Sequence, residues 1–155
     1  MLPHDLLQSA RILLSSAKGR PTAVSLRRAT SSAYYAIFHC LPRECADLLI
    51  GGAGAARSNA AWRQVYRALE HGATKDRCKN RTAMRQFPQE IGDFANVFVT
   101  MQENRHEADY DPFRTFSKSE VMVDIAAVEQ AMSNFRLAGI RHRRAFCAFV
   151  LFKGR

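Results

Sequence analysis

The chain has 155 residues, 47% hydrophobic and 24% charged, with 23 lysines and arginines against 14 aspartates and glutamates, for a formal net charge of +9. That length suits one compact domain able to remove about two-thirds of its unfolded surface from water without disulfides or metals, and the composition excludes global disorder. The longest unbroken apolar run, Ala145 to Phe152, has eight residues, well short of the roughly 20 a membrane helix needs, and no basic-then-apolar segment opens the chain as a secretory signal would; a cytoplasmic location is expected.

Nearly every periodic signal is helical. Leu6, Ala10, Leu13 and Ala17 recur at helical spacing, and Gly19 with Pro21 closes that first helix. A second helix is predicted from about Thr22 to Leu49, bent at Pro42, because proline removes a backbone donor and crowds the preceding turn. Gly51-Gly52-Ala53-Gly54 then breaks the chain. Ser58 is a predicted N-cap for a third helix carrying Trp62, Val65, Tyr66 and Leu69 and ending near His71-Gly72. Thr74 to Arg85 has no apolar periodicity and reads as an exposed loop.

Pro88 suits a first helical position, and a fourth helix is predicted through Phe94, Val97, Phe98 and Met101 to the neighbourhood of Tyr110, where Asp111-Pro112 stops it. Ser117-Lys118-Ser119-Glu120 has the capping-box arrangement. Behind it Val121, Ile125, Val128, Met132 and Phe135 form the cleanest amphipathic stripe in the chain, closed by Gly139. In the tail, Arg141-His142-Arg143-Arg144 precedes the apolar run, and helix is favoured over strand because nothing else in the chain offers a strand to pair with. The expected architecture is an all-α, up-and-down bundle of five or six helices, with residues 1–140 as the bundle and 141–155 as a basic and apolar tail packing on the same domain.

The charge is unevenly placed. Residues 75–85 carry five basic groups and one acidic, and 141–155 carry five basic and none acidic, whereas 86–140 carry four basic and nine acidic. The two short basic segments together equal the whole excess, which suggests an acidic partner such as nucleic acid. Lys75, Arg77, Lys79 and Arg81 in the first, and Arg141, Arg143 and Arg144 in the second, are the candidate phosphate contacts. No ordered array of exposed aromatics accompanies either segment, so a stacking platform for single strands is not expected. Cys40, Cys45, Cys78 and Cys147 form no CxxC pair and have no histidine at zinc-ligand spacing. They read as buried reduced thiols, and neither metal nor cofactor is expected.

Two constellations could carry chemistry. Arg28, Ser32, Tyr35 and His39 fall within roughly 60° of one another on the second helix, at about 100° per residue. Either Tyr35 and His39 are amphipathic residues at the edge of a helix contact, or the seam lines a cleft in which arginine meets phosphate and histidine moves a proton. On the fourth helix Arg105 lies close to the direction of Phe94 and Phe98, with Asp109 one turn on. A charge ending an apolar stripe must be paired or face a wet cavity, because burying it alone costs several kcal/mol. An Arg105–Asp109 ion pair at the mouth of the bundle and an Arg105 pointing into the cleft of His39 both satisfy that requirement.

The run Arg28-Ala-Thr-Ser-Ser-Ala-Tyr-Tyr-Ala-Ile-Phe-His39 on a long second helix, followed by Arg105-His-Glu-Ala-Asp-Tyr-Asp-Pro112 before a capped core helix, resembles the HEPN superfamily of small helical-bundle proteins. The similarity covers roughly residues 5 to 137. It implies an up-and-down bundle that dimerises around a cleft, in a family whose members include metal-independent ribonucleases of toxin–antitoxin and defence systems, often paired with a nucleotidyltransferase-type antitoxin, and non-catalytic RNA- or nucleotide-binding modules. Nuclease members carry an arginine followed after four to six residues by histidine, as a general base and a phosphate-stabilising cation require. Here Tyr110, Asp111 and Pro112 stand where that histidine would fall. The expectation is therefore a homodimer that binds RNA or another phosphate-bearing ligand in an inter-subunit cleft lined by Arg28, Ser32, Tyr35, His39, Arg105, Asp109 and Tyr110. Two alternatives are an active endoribonuclease, with His39 as base and Arg105 and Arg28 as phosphate clamps, and an interaction module that docks a nucleotidyltransferase-type partner.

Overall fold

A computed structural model describes residues 2–15 and 18–154, and every regular element among them is helical. Eight helices follow one another: α1 (Pro3–Ser15), α2 (Ala23–Leu49), α3 (Asn59–Arg67), α4 (His71–Cys78), α5 (Arg81–Met84), α6 (Gln89–Tyr110), α7 (Lys118–Leu137) and α8 (Ile140–Leu151). The all-helical class agrees with the sequence. The count differs from five or six because the segment read as an exposed loop folds into α4 and α5.

α2 is the central element, packing against α1, α3, α6, α7 and α8. Thr22 caps it by accepting the Ser25 N–H at 3.1 Å, and Pro42 is accommodated within the helix, buried. Its ring leaves the Phe38 carbonyl, four residues earlier, without its usual helical donor. On α1 the fully buried line is Leu7, Ala10 and Leu14. That line is turned by one residue from the predicted stripe: Leu6 and Leu13 are only half-buried, and Ala17 lies outside the described residues.

α2, α6 and α7 are mutually in contact, and α1 closes against α2 and α7. On α7 the predicted stripe holds: Val121, Ile125, Val128 and Phe135 are buried, with Met132 at the edge. The capping box forms, Ser117 accepting from the Glu120 N–H at 3.1 Å while Glu120 accepts from the Ser117 N–H. Phe94 of α6, Phe135 of α7 and Phe146 of α8 meet in one aromatic cluster, with the first two ring centroids 4.9 Å apart and the last two 6.0 Å. Each ring is fully buried, and withdrawal of such a side chain from water is worth about 1.5–3 kcal/mol.

Three boundaries move. The third helix stops at Arg67, and His71 begins α4 where an end was predicted. Pro88 is the cap of α6 with extended backbone (φ −66°, ψ 166°), not its first turn. Gly139 begins α8 where it was expected only to close α7. Gly51 alone among the turn residues after α2 has a left-handed φ, +138°, and a Cβ built there would meet Ala55 Cβ at 3.0 Å, so glycine is required. The four cysteines are free and buried, and burial pushes the Cys40 and Cys78 thiols up to about 12. No helix is long and apolar enough to cross a membrane, among the described residues.

Candidate functional site

α1, α2 and the end of α6 enclose a cleft of about 560 Å³. Arg28, Ser32, Tyr35 and His39 of α2 all line it, as their common direction on the helix predicts, and Ser31 and Asp109 complete its polar side. Leu6 and Leu13, displaced from the core by the rotation of α1, form the apolar lip. The Arg28 guanidinium is exposed and meets no partner among the described residues.

Arg105 stands behind this cleft instead of lining it. Its side chain is only 15% exposed, and one terminal nitrogen pairs with Asp109 at 3.3 Å. The guanidinium carbon lies 5.2 Å from the Tyr34 ring centre and 6.0 Å from that of Tyr35, within the range of cation–π attraction. Its Nε is buried without an acceptor. Asp109 is held a second time, accepting the Ser31 hydroxyl proton at 2.7 Å. Of the two arrangements the sequence left open, the Arg105–Asp109 ion pair is the one present, and its carboxylate forms part of the cleft wall. Tyr110 is not among the lining residues: it is 67% exposed, with its ring 4.9 Å from that of His106.

His39 is clamped between aromatic side chains. Its ring stacks near-parallel on Tyr66 of α3 and on Tyr35, each with centroids 6.1 Å apart, and its Nδ1 lies 2.6 Å from the Tyr66 hydroxyl. Trp62 stacks on the far side of Tyr66 at 5.3 Å and donates its Nε1–H to Asp47 at 2.8 Å. Burial lowers the His39 pKa below its usual 6.5, so the imidazole is neutral at neutral pH.

A second imidazole, which the sequence did not single out, lies deeper. His71, at the start of α4, stacks face to face on Phe38 with centroids 3.6 Å apart, and its Nδ1 is hydrogen-bonded to the hydroxyl of fully buried Tyr34. Burial lowers the His71 pKa, the Arg105 guanidinium adds to the effect, and so does His39 once acid protonates it. Burial raises that of Tyr34. The tyrosine thus keeps its proton and donates it to an unprotonated His71 Nδ1. Arg105, Tyr34, His71, Phe38, His39, Tyr66 and Trp62 form a continuous series of contacts from α6 through α2 to α3 and α4. No three His, Cys, Asp or Glu side chains come together as a metal would need, among the described residues.

The candidate phosphate contacts outside the cleft divide in two. Lys75 and Lys79 share Glu103 at 3.3 and 3.7 Å, Arg77 donates to the Val150 carbonyl at the end of α8, and Arg143 donates to the Ala138 carbonyl at 2.9 Å while approaching Glu44. These four tie α4 to α6 and α8, and α8 to α2. Arg81, Arg141 and Arg144 are exposed and meet no partner among the described residues. No family model matches the chain, and neither a curated protein nor a solved structure matches it.

Proposed function

We propose that the protein is a HEPN-like homodimer whose α1–α2–α6 cleft binds RNA or another phosphate-bearing ligand, in a toxin–antitoxin or defence setting with a nucleotidyltransferase-type antitoxin as partner. The observation that carries this reading is the convergence of Arg28, Ser32, Tyr35, His39 and Asp109 on one 560 Å³ cleft, within the range of small-ligand sites. Arg28 supplies the free cation for a phosphate, Ser32 a hydroxyl and Tyr35 a ring face, while Arg105 neutralises Asp109 so that the wall does not repel an anion. Filter binding of labelled RNA across salt concentrations tests it. Binding should weaken steeply with salt and fall roughly tenfold in Arg28→Ala, about what one charge-assisted contact is worth. Absence of binding at low ionic strength overturns the reading.

The His39–Tyr66 contact supports a second reading, metal-independent RNA cleavage. With Nδ1–H donating to the Tyr66 oxygen, the Nε2 lone pair is free to take the proton of a ribose 2′-hydroxyl, and a lowered pKa keeps it unprotonated. Total RNA incubated with the protein in EDTA would then yield fragments with cyclic phosphate ends. His39→Ala should abolish that product, and Arg105→Ala should abolish it by leaving Asp109 unneutralised against the phosphate; its persistence in both removes these residues from the chemistry.

A further inference from the structure

The groove between the α5 turn and α8 gathers Phe87, Phe149 and Phe152 beside the two basic segments, where no stacking platform was expected because these rings are separated along the chain. It has a volume of about 610 Å³ and is lined by Phe87, Phe149 and Phe152, with Arg77, Arg141, His142 and Lys153 around them and no aspartate or glutamate among the described residues. Phe87 and Phe149 lie 5.7 Å apart, and both rest on Phe146, which is fully buried. That support fixes the two rings as a floor. Phe152 is 61% exposed at the end of α8, an unusual position for so large an apolar ring. Ala145 and Ala148, on the same face of the helix, are too small to screen the rings from solvent. Phe87 also lines an adjoining hollow of about 550 Å³ whose cations are Arg81 and Arg85. The two hollows meet at Phe87 and make one track with aromatic rings on its floor; Arg77 is tied to the Val150 carbonyl, while Arg81, Arg85, Arg141 and Lys153 meet no partner among the described residues.

We propose that this track is a binding site for single-stranded nucleic acid, separate from the α1–α2–α6 cleft. Bases stack on Phe87, Phe149 and Phe152, and the phosphates between them meet Arg81, Arg141 and Lys153. Stacking accepts any base, because every base has a π face, and the backbone contacts carry no sequence information, so recognition is of an unpaired polyanion as such. A duplex hides its base faces and gains only the phosphate term. An acidic peptide would likewise use the cations and leave the rings unemployed.

The test uses the full chain and a fluorescein-labelled oligouridylate of about twelve nucleotides, within the span of known single-strand sites, carrying 5-bromouridine for photocrosslinking. Anisotropy should show binding that weakens with salt, with a log–log slope of about −0.7 for each phosphate neutralised, and a blunt duplex of equal length should bind more weakly. Phe152→Ala, an exposed change that leaves the core intact, should weaken oligouridylate binding roughly tenfold, as loss of one stacked base does, and Arg141→Glu should weaken it further. Crosslinks should map to the tryptic peptide 145–153 and persist in Arg28→Ala, whereas a ligand in the cleft would mark peptide 29–43. The two sites therefore succeed or fail independently. Crosslinking confined to 29–43, unchanged affinity in Phe152→Ala, tighter binding of the duplex, or equal binding of polyglutamate would each overturn the proposal.

Discussion

His39 and His71 each lose solvent without gaining a negative partner, and that combination decides how the protein responds to acid. Both have pKa values lowered from 6.5, with burial the largest cause in each. A histidine whose folded pKa lies below its unfolded one binds more protons when unfolded. Its contribution to stability is therefore complete above about pH 6.5 and is lost as pH falls through that value towards the folded pKa. The urea midpoint should drop between pH 7 and pH 5, and the double variant His39→Gln/His71→Gln should flatten that slope; an equal slope in the variant would assign the acid sensitivity to carboxylates. At this scale the site was legible only where its geometry is local. Arg28, Ser32, Tyr35 and His39 share a direction fixed by 100° per residue. Tyr34 meets His71 from 37 residues away, and His39 meets Tyr66 from 27, distances over which spacing in the sequence carries no information. Arg105 was legible as anomalous, but its retreat behind Tyr35 depends on rings contributed by another helix.

Among the elements, α4 shows why a helix can leave no periodic trace. Its eight residues rest on Thr74 and Cys78, one turn apart and both buried, and neither counts as strongly apolar when a stripe is sought. The Thr74 hydroxyl is buried with no hydrogen-bond partner. Thr74→Val keeps the shape and removes an unsatisfied group, so it should raise the thermal midpoint by an amount equivalent to about 1 kcal/mol; a lower midpoint would mean that a water or backbone acceptor serves the hydroxyl. α5 is a single turn, capped by Asn80 accepting the Ala83 N–H at 3.1 Å, and with only Met84 resting on the core it is too short to leave a periodic pattern. α7 lies at the other extreme: capping box, stripe and length agree, and only Met132 falls short of burial. α8 presents a further contrast, because Arg141, His142, Arg143 and Arg144 occupy its first turn, where the helix dipole is already positive. Arg143 has acceptors there, and the other three give the fold no evident return.

For the molecule as a whole, one aromatic cluster joins the C-terminal half. Phe135 is fully buried between Phe94 and Phe146, so three helices meet on its ring. Phe135→Ala should cost about 3–5 kcal/mol and lower the far-UV and near-UV transitions together; separated transitions would show that α8 unfolds independently of the bundle. The net charge of +9 also takes on an arrangement at this scale. Lys75, Lys79, Arg77 and Arg143 are consumed in holding helices together, while Arg28 faces the cleft and Arg81, Arg141 and Lys153 face the groove. Counting charges along the chain located the excess but could not separate struts from contacts, because that depends on which carboxylates and carbonyls the fold brings near.

The single tryptophan has a consequence of a different kind. Trp62 is one ring removed from His39 through Tyr66 and lies 5.0 Å from the Arg57 guanidinium, whereas it is not among the residues that line the α5–α8 groove. The protein thus carries its own optical gauge of one site and not the other. A ligand that presses on Tyr35 and His39 must disturb the indole's surroundings and change its emission, while a strand lying along α8 leaves the emission as it was.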